Sequence, residues 1–207
     1  MSGEAAPLKL FAPTLPAEEA ARANFYGLLA RLFYAPPDAS LLAAIAAAEE
    51  IAAEQEGGRA LARAWRELML AAAKADPASI ADEYETLFAG TGRAQVSLYA
   101  GAYLARTAVD NPLVDVRVYL AARGLSRHRS VHEPEDHVAA LCEVMRHLIA
   151  QEQAPLEEQR SFFARFLWPS FAPLCDAIGR AEQARLYKQI AMFTRCFLEL
   201  EHDAFEM

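Results

Sequence analysis

The chain has 207 residues, 54% of them hydrophobic, and a formal net charge of -8 at neutral pH; that length can bury a substantial core in one domain without disulfides or metals. The acidic balance disfavours sequence-independent binding to nucleic acid, which needs a basic surface to neutralise phosphates. No run reaches the roughly 18 to 20 apolar residues of a membrane span.

Residues 1 to 16 contain Pro7, Pro13 and Pro16 and little periodicity, which predicts a mobile leader. Its lack of a basic stretch followed by an apolar one predicts a protein neither exported on its own nor anchored. From Glu18 to Tyr34, Phe25, Leu28, Leu29, Leu32 and Phe33 recur at helical spacing until Pro36-Pro37. Asp38 is placed to cap a second helix to about Gln55, Gly57-Gly58 to break it, and Arg59 to Lys74 to form a third. Asp76-Pro77 pairs a cap with a proline in the first turn and predicts a fourth helix to about Phe88, ended by the Gly90-Thr91-Gly92 turn. A short helix around Tyr99 to Thr107 follows. Asn111-Pro112 repeats the cap device and opens Leu113 to Arg123, after which Gly124 to His132 is a basic loop.

Glu133-Pro134 is expected to open a helix to about Gln151 with Val138, Leu141, Cys142, Met145, Leu148 and Ile149 on its apolar face. Pro155 starts another, to Trp168, and a last helix from about Phe171 to His202 carries Leu186, Ile190, Phe193, Phe197 and Leu200 through the core. With no βαβ pattern or internal repeat, the expectation is an all-α single globular domain over 17–207 with eight or nine helices. Cys142, Cys175 and Cys196 are odd in number and widely spaced, so reduced thiols in a cytoplasmic setting fit better than a disulfide framework.

The densest polar feature is Glu133-Pro134-Glu135-Asp136-His137. A proline followed by carboxylates suits a helix start, where free N–H groups and the helix dipole favour negative charge. An Asp136/His137 pair facing a ligand is the other reading of the same run. His128, His132, His137, Cys142 and His147 crowd into twenty residues, which raises a helical metal-dependent enzyme or regulator as the alternative. His137 and Cys142, five apart, project about 140° apart around a helix, however, and no compact zinc spacing occurs. There is no Gly-x-Ser-x-Gly elbow, no motif around a cysteine, and Gly90-Thr91-Gly92-Arg93 lacks a phosphate-loop framework, so catalysis is not expected. Tyr84, Leu87 and Phe88 suit a core face, while Tyr99 and Tyr103, four apart, suit either core or one wall of a groove.

Three blocks in order resemble the TorD/DmsD family, which includes the NarJ-like proteins. They are Asn24-Phe25-Tyr26-Gly27-Leu28-Leu29-Ala30-Arg31-Leu32-Phe33 with Pro36-Pro37; Glu83-Tyr84-Glu85-Thr86-Leu87-Phe88-Ala89-Gly90 with Tyr99 and Tyr103; and Glu133-Pro134-Glu135-Asp136-His137 continuing to Glu143 and Met145. Leu98, Ala100 and Gly101 depart from the second pattern, where the family has Pro, Glu and Ser; Leu141 and Val144 depart from the third. The resemblance implies a TorD-like helical chaperone of the cytoplasm. Its partner would be the catalytic subunit of a molybdenum-containing redox enzyme, or that subunit's twin-arginine signal peptide, with export delayed until the cofactor is inserted. It implies client contacts at Tyr84, Tyr99, Tyr103, Glu133, Glu135, Asp136 and His137. Contact with a guanine nucleotide or the molybdopterin cofactor is implied by resemblance alone, and monomer and homodimer both stay open. A helical scaffold for a partner helix, indifferent to arginine, is a further alternative.

Overall fold

A computed structural model describes residues 15–53, 55–89, 94–105, 107, 110–128 and 131–207. Most of the expected leader and the Gly90-Thr91-Gly92 turn lie outside the described residues. Among those described there is no strand, only one isolated antiparallel bridge between Tyr99 and His137.

The first helix, α1 (Ala17–Tyr34), matches its predicted span and ends in an extended Ala35 just before the two prolines. Asp38 caps α2 (Ala39–Ala46) by accepting from the Leu41 amide at 2.8 Å. α2 stops well short of Gln55, and α3 (Glu56–Ala72) begins with Gly57-Gly58 inside its first turn. The glycines admit close approach there instead of breaking a helix: a Cβ on Gly58 would lie 2.8 Å from the Ala53 Cβ. Asp76 caps α4 (Pro77–Tyr84) at the Ser79 amide, 2.9 Å away, and a π-helical turn (Glu85–Ala89) prolongs it. α5 (Gly101–Leu104) is one turn, shorter than expected, and α6 (Pro112–Ala122) is capped by Asn111.

α7 (Val138–Ala150) packs along α1, and a Cβ on Gly27 would come within 3.0 Å of the Arg146 Cδ. α8 (Leu156–Phe162), a second π-helical turn (Phe163–Leu167) and α9 (Trp168–Arg180) form one continuous rod, followed by α10 (Leu186–Glu206). Among the described residues, continuous rods number nine, all helical, in agreement with the expected class. The predicted break at 168–171 and the single helix 171–202 are both incorrect. Pro169 sits in the first turn of α9, and the Ser170 hydroxyl donates to the Phe166 and Leu167 carbonyls at 2.8 and 2.9 Å, so the rod continues. The real break, at 181–185, is set from a distance. Glu83, buried on α4, accepts from the amides of Arg185 at 2.7 Å, Leu186 at 3.2 Å and Tyr187 at 2.8 Å, and so caps α10.

α10 runs between α3 and α9. Phe193 and Phe197 meet Phe25 edge-on at 5.3 Å each, joined by Trp65 at 5.9 Å. A buried polar knot ties α1, α8 and α10: Arg22 donates to Glu201 at 2.6 and 2.8 Å and to Gln159 at 3.0 Å, while the Tyr26 hydroxyl donates to Glu201 at 2.9 Å. Every member is satisfied, as burial of charge requires.

Candidate functional site

Of the predicted site residues, Tyr99, Asp136 and His137 meet where residues 98–101 pair with 136–138. The Val138 amide donates to the Leu98 carbonyl and the Ala100 amide to the Asp136 carbonyl, each at 2.8 Å. This pairing needs extended backbone at His137 (φ -62°, ψ 133°), so the helix cannot begin at Pro134 as expected. Glu135 and Asp136 lie in a turn before it, and His137 is the N-cap, its Nδ1 accepting from the Ala139 amide at 3.2 Å. Asp136 is only 6% exposed, and its Oδ2 accepts from the Gly101 amide at 3.2 Å. Gly101 stands where the resemblance expects Ser, and a Cβ there would come 2.9 Å from that Oδ2, so a side chain at 101 would displace the Asp136 carboxylate.

The three tyrosines do different things. Tyr84 is half-buried against Phe88 and Tyr187, and its hydroxyl donates to the Phe33 and Tyr34 carbonyls, both at 3.1 Å. Burial, aided by nearby Glu133 and Tyr99, raises its pKa to about 12. Tyr103 turns away, donating to the Ser97 carbonyl at 2.7 Å and lining a second cavity with Asp115 and Arg165. Tyr99 is 38% exposed, meets His137 edge-on at 5.3 Å, and donates to Glu133 Oε2 at 2.6 Å. That hydrogen bond is the main reason its pKa rises to about 12.

A cavity of about 460 Å³ opens beside this junction, between α1, α7 and residues 125–128 and 131–135. Ala30, Leu120, Leu125, Ala140 and Val144 supply apolar wall; Tyr34, Glu133, Glu135 and His137 also line it. Tyr84, Tyr99, Tyr103 and Asp136 are not among its lining residues. Glu135 is engaged by two arginines, Arg117 Nε at 2.9 Å and Arg127 Nε at 3.4 Å. Burial pushes its pKa up, but a backbone hydrogen bond and those guanidiniums outweigh it and hold it below the ordinary value. His137 is 3% exposed; burial lowers its pKa against the pull of Glu133 and Asp136, so the imidazole is neutral near pH 7.

His128, His137 and His147 all line this cavity, yet among the described residues no group of three or more His, Cys, Asp or Glu side chains is placed to hold a metal ion. Cys142 is wholly buried in the core and burial raises its thiol pKa; burial also pushes Cys175 up to about 12, so neither provides a thiolate. Among the described residues no helix is long and apolar enough to cross a membrane.

Sequence reasoning missed Tyr34, Arg117, Arg127 and Glu83. Tyr34 follows the buried Phe33 on α1 and lies between the quoted residues of the first block; only its place at the helix end, one step off the apolar stripe, marks it as surface. The arginines lie 18 and 8 residues before Glu135, beyond any local pattern.

Residues 52–176 match the family model described as nitrate reductase delta subunit. No curated protein matches the chain. A crystal structure titled as a candidate redox enzyme maturation protein from Archaeoglobus fulgidus superposes with a TM-score of 0.52 at 18% identity, covering 87% of this chain and 93% of that one. At that identity the likeness is one of fold.

Proposed function

The chain belongs to the nitrate reductase delta subunit family, the NarJ/TorD-like group, and from that premise we propose that it is a cytoplasmic maturation chaperone, without catalytic turnover, for the catalytic subunit of a molybdenum-containing redox enzyme. It binds the client's twin-arginine signal peptide, its apoprotein, or both, and holds back export until the cofactor is in place. The observation that carries this reading is the cavity between α1 and α7, whose lining combines apolar residues with Glu133, Glu135, Glu143 and His137. Such a groove can take the apolar stretch of a signal sequence and keep its guanidiniums beside carboxylates. Glu133 and His137 face the client, and Tyr99 holds Glu133 in position. Asp136, Tyr84 and Tyr103 act one step back by fixing the backbone.

Calorimetry with the signal peptide of the redox-enzyme subunit that co-purifies from the native cell tests this. Glu133→Gln should weaken binding about tenfold, about 1.4 kcal/mol, and so should replacing both peptide arginines with glutamine. Affinity should also fall as salt rises, since charges at the rim are screened over about 8 Å at physiological ionic strength. Peptide binding that ignores arginine, salt and Glu133 would leave only an apolar groove for a partner helix. Failure of any redox-enzyme subunit to co-purify would sink the chaperone reading.

A further inference from the structure

The carboxylates that line the α1–α7 cavity differ in what already neutralises them. Glu135 is held by Arg117 and Arg127, and Glu143 by Arg146 at 2.8 Å. The remaining cavity arginine, Arg31, stands within electrostatic reach of Asp38. Glu133 has no cationic partner among the described residues; Oε2 accepts from the Tyr99 hydroxyl, and Oε1 accepts nothing among them.

Two aromatic rings accompany this carboxylate. Tyr34 lines the same cavity and is 49% exposed, large for an aromatic ring on a helix whose neighbouring Phe33 is wholly buried. Tyr84 fixes its position by donating to the Tyr34 carbonyl, and stands within electrostatic reach of Glu133, Tyr99 and Tyr34 together. Tyr99 supplies the second exposed ring. His137 adds a polar atom: Nδ1 is taken by the Ala139 amide, so the neutral ring carries its proton on Nε2, which has no partner among the described residues although the residue is 97% buried and lines the cavity.

We infer that Tyr34, Tyr99, Glu133 and His137 form a single-arginine subsite, in which Tyr34 is the specificity residue that separates a guanidinium from an ammonium. A planar guanidinium stacks on a phenol ring while its N–H edge donates to a carboxylate; an ammonium is also drawn to the ring face but cannot stack flat on it and pair edge-on at once. His137 Nε2–H is left to donate to a carbonyl of the bound peptide. The inference rests on the client-binding reading for its biological ligand but makes a stricter claim. One arginine is read at Glu133, and a second must displace Arg117 or Arg127 from Glu135 or remain at the rim.

The test uses Nα-acetyl-arginine methylamide and its lysine counterpart as probes, titrated into the full chain and followed by NMR on the tyrosine and histidine ring signals. The arginine probe should shift the Tyr34 and His137 signals and bind several-fold more tightly than the lysine probe. Tyr34→Leu should weaken the arginine probe about three- to thirtyfold and the lysine probe clearly less, Tyr34→Phe should preserve both, and Glu133→Gln should abolish the preference. Tyr34 is half exposed and uses only its backbone in the Tyr84 contact, so circular dichroism of these variants should match the parent. Equal affinity for the two probes, or an unaltered arginine affinity in Tyr34→Leu, overturns the subsite. If the arginine probe behaves as stated while twin-arginine peptides do not bind, the subsite stands and the signal-peptide reading falls. If peptides bind but lose the same affinity in Tyr34→Leu whether they carry arginine or lysine, the reading stands and the subsite falls.

Discussion

Glu83→Ala is expected to be among the most damaging single substitutions, although Glu83 lies over 100 residues from the helix it caps. Its carboxylate, 8% exposed, accepts from three successive amides at the start of α10. Loss of an ordinary N-cap costs about 0.5–2 kcal/mol, and hydrogen bonds to a charged acceptor contribute about 1.5–3 kcal/mol each when their partners would otherwise be buried unpaired. The three share one carboxylate and do not add fully, so a loss of about 3–5 kcal/mol follows from these ranges. For a domain of this size each kcal/mol lowers Tm by about 2–4 °C, which puts the shift at roughly 10 °C. Glu83→Gln keeps one acceptor oxygen and should lose about half as much. Thermal and urea unfolding followed at 222 nm measure both, and hydrogen exchange at Arg185, Leu186 and Tyr187 should accelerate in Glu83→Ala. A loss below about 1 kcal/mol in the alanine variant, with those amides still protected, would refute the long-range cap.

Gly101→Ala should cost about 1–3 kcal/mol, the range for forced overpacking, because its Cβ lands 2.9 Å from Asp136 Oδ2; combining it with Asp136→Ala should relieve part of that cost in a urea double-mutant cycle. Arg22→Met strands the buried Glu201 carboxylate with only Tyr26 as donor and should destabilise by about 3–5 kcal/mol, while Arg22→Met with Glu201→Leu should recover much of it. His137 has a folded pKa below its unfolded value of about 6.5, so below that pH the unfolded chain binds the proton more readily. Stability should therefore fall as pH drops from about 6.5 towards the folded pKa. His137→Gln should flatten that slope in urea midpoints measured from pH 5 to 8; an unchanged slope would assign it to other groups.

Much of the fold was legible because its signals are local. Asp38, Asp76 and Asn111 cap where expected, each accepting from an amide three residues on, and the apolar positions of α7 are buried as the 3.6-residue period requires. Sequence and structure part where a distant group decides the outcome. Nothing in Arg180 to Leu186 breaks a helix by propensity; the Glu83 cap does so through tertiary contact. Gly57-Gly58 is ambiguous in sequence because glycine marks either a chain break or a close approach, and only the packing partner, Ala53, distinguishes them.

The same division explains the site. The run from Glu133 to His137 shows three carboxylates and an imidazole within five residues, and in sequence the charges look equivalent. Asp136 is drawn inward by an amide 35 residues earlier, and Glu135 is neutralised by arginines 18 and 8 residues earlier. Glu133 alone of the three has no such partner among the described residues and meets a tyrosine hydroxyl instead. A density of acidic residues therefore overstates the charge offered to a ligand, since buried or paired carboxylates have already spent their interaction on the fold. What a ligand meets is the difference between the charge written in the sequence and the charge the fold has consumed. Here that difference narrows a five-residue acidic run to one carboxylate bonded to Tyr99, in a cavity that also takes in Tyr34, a residue that no acidic motif would have selected.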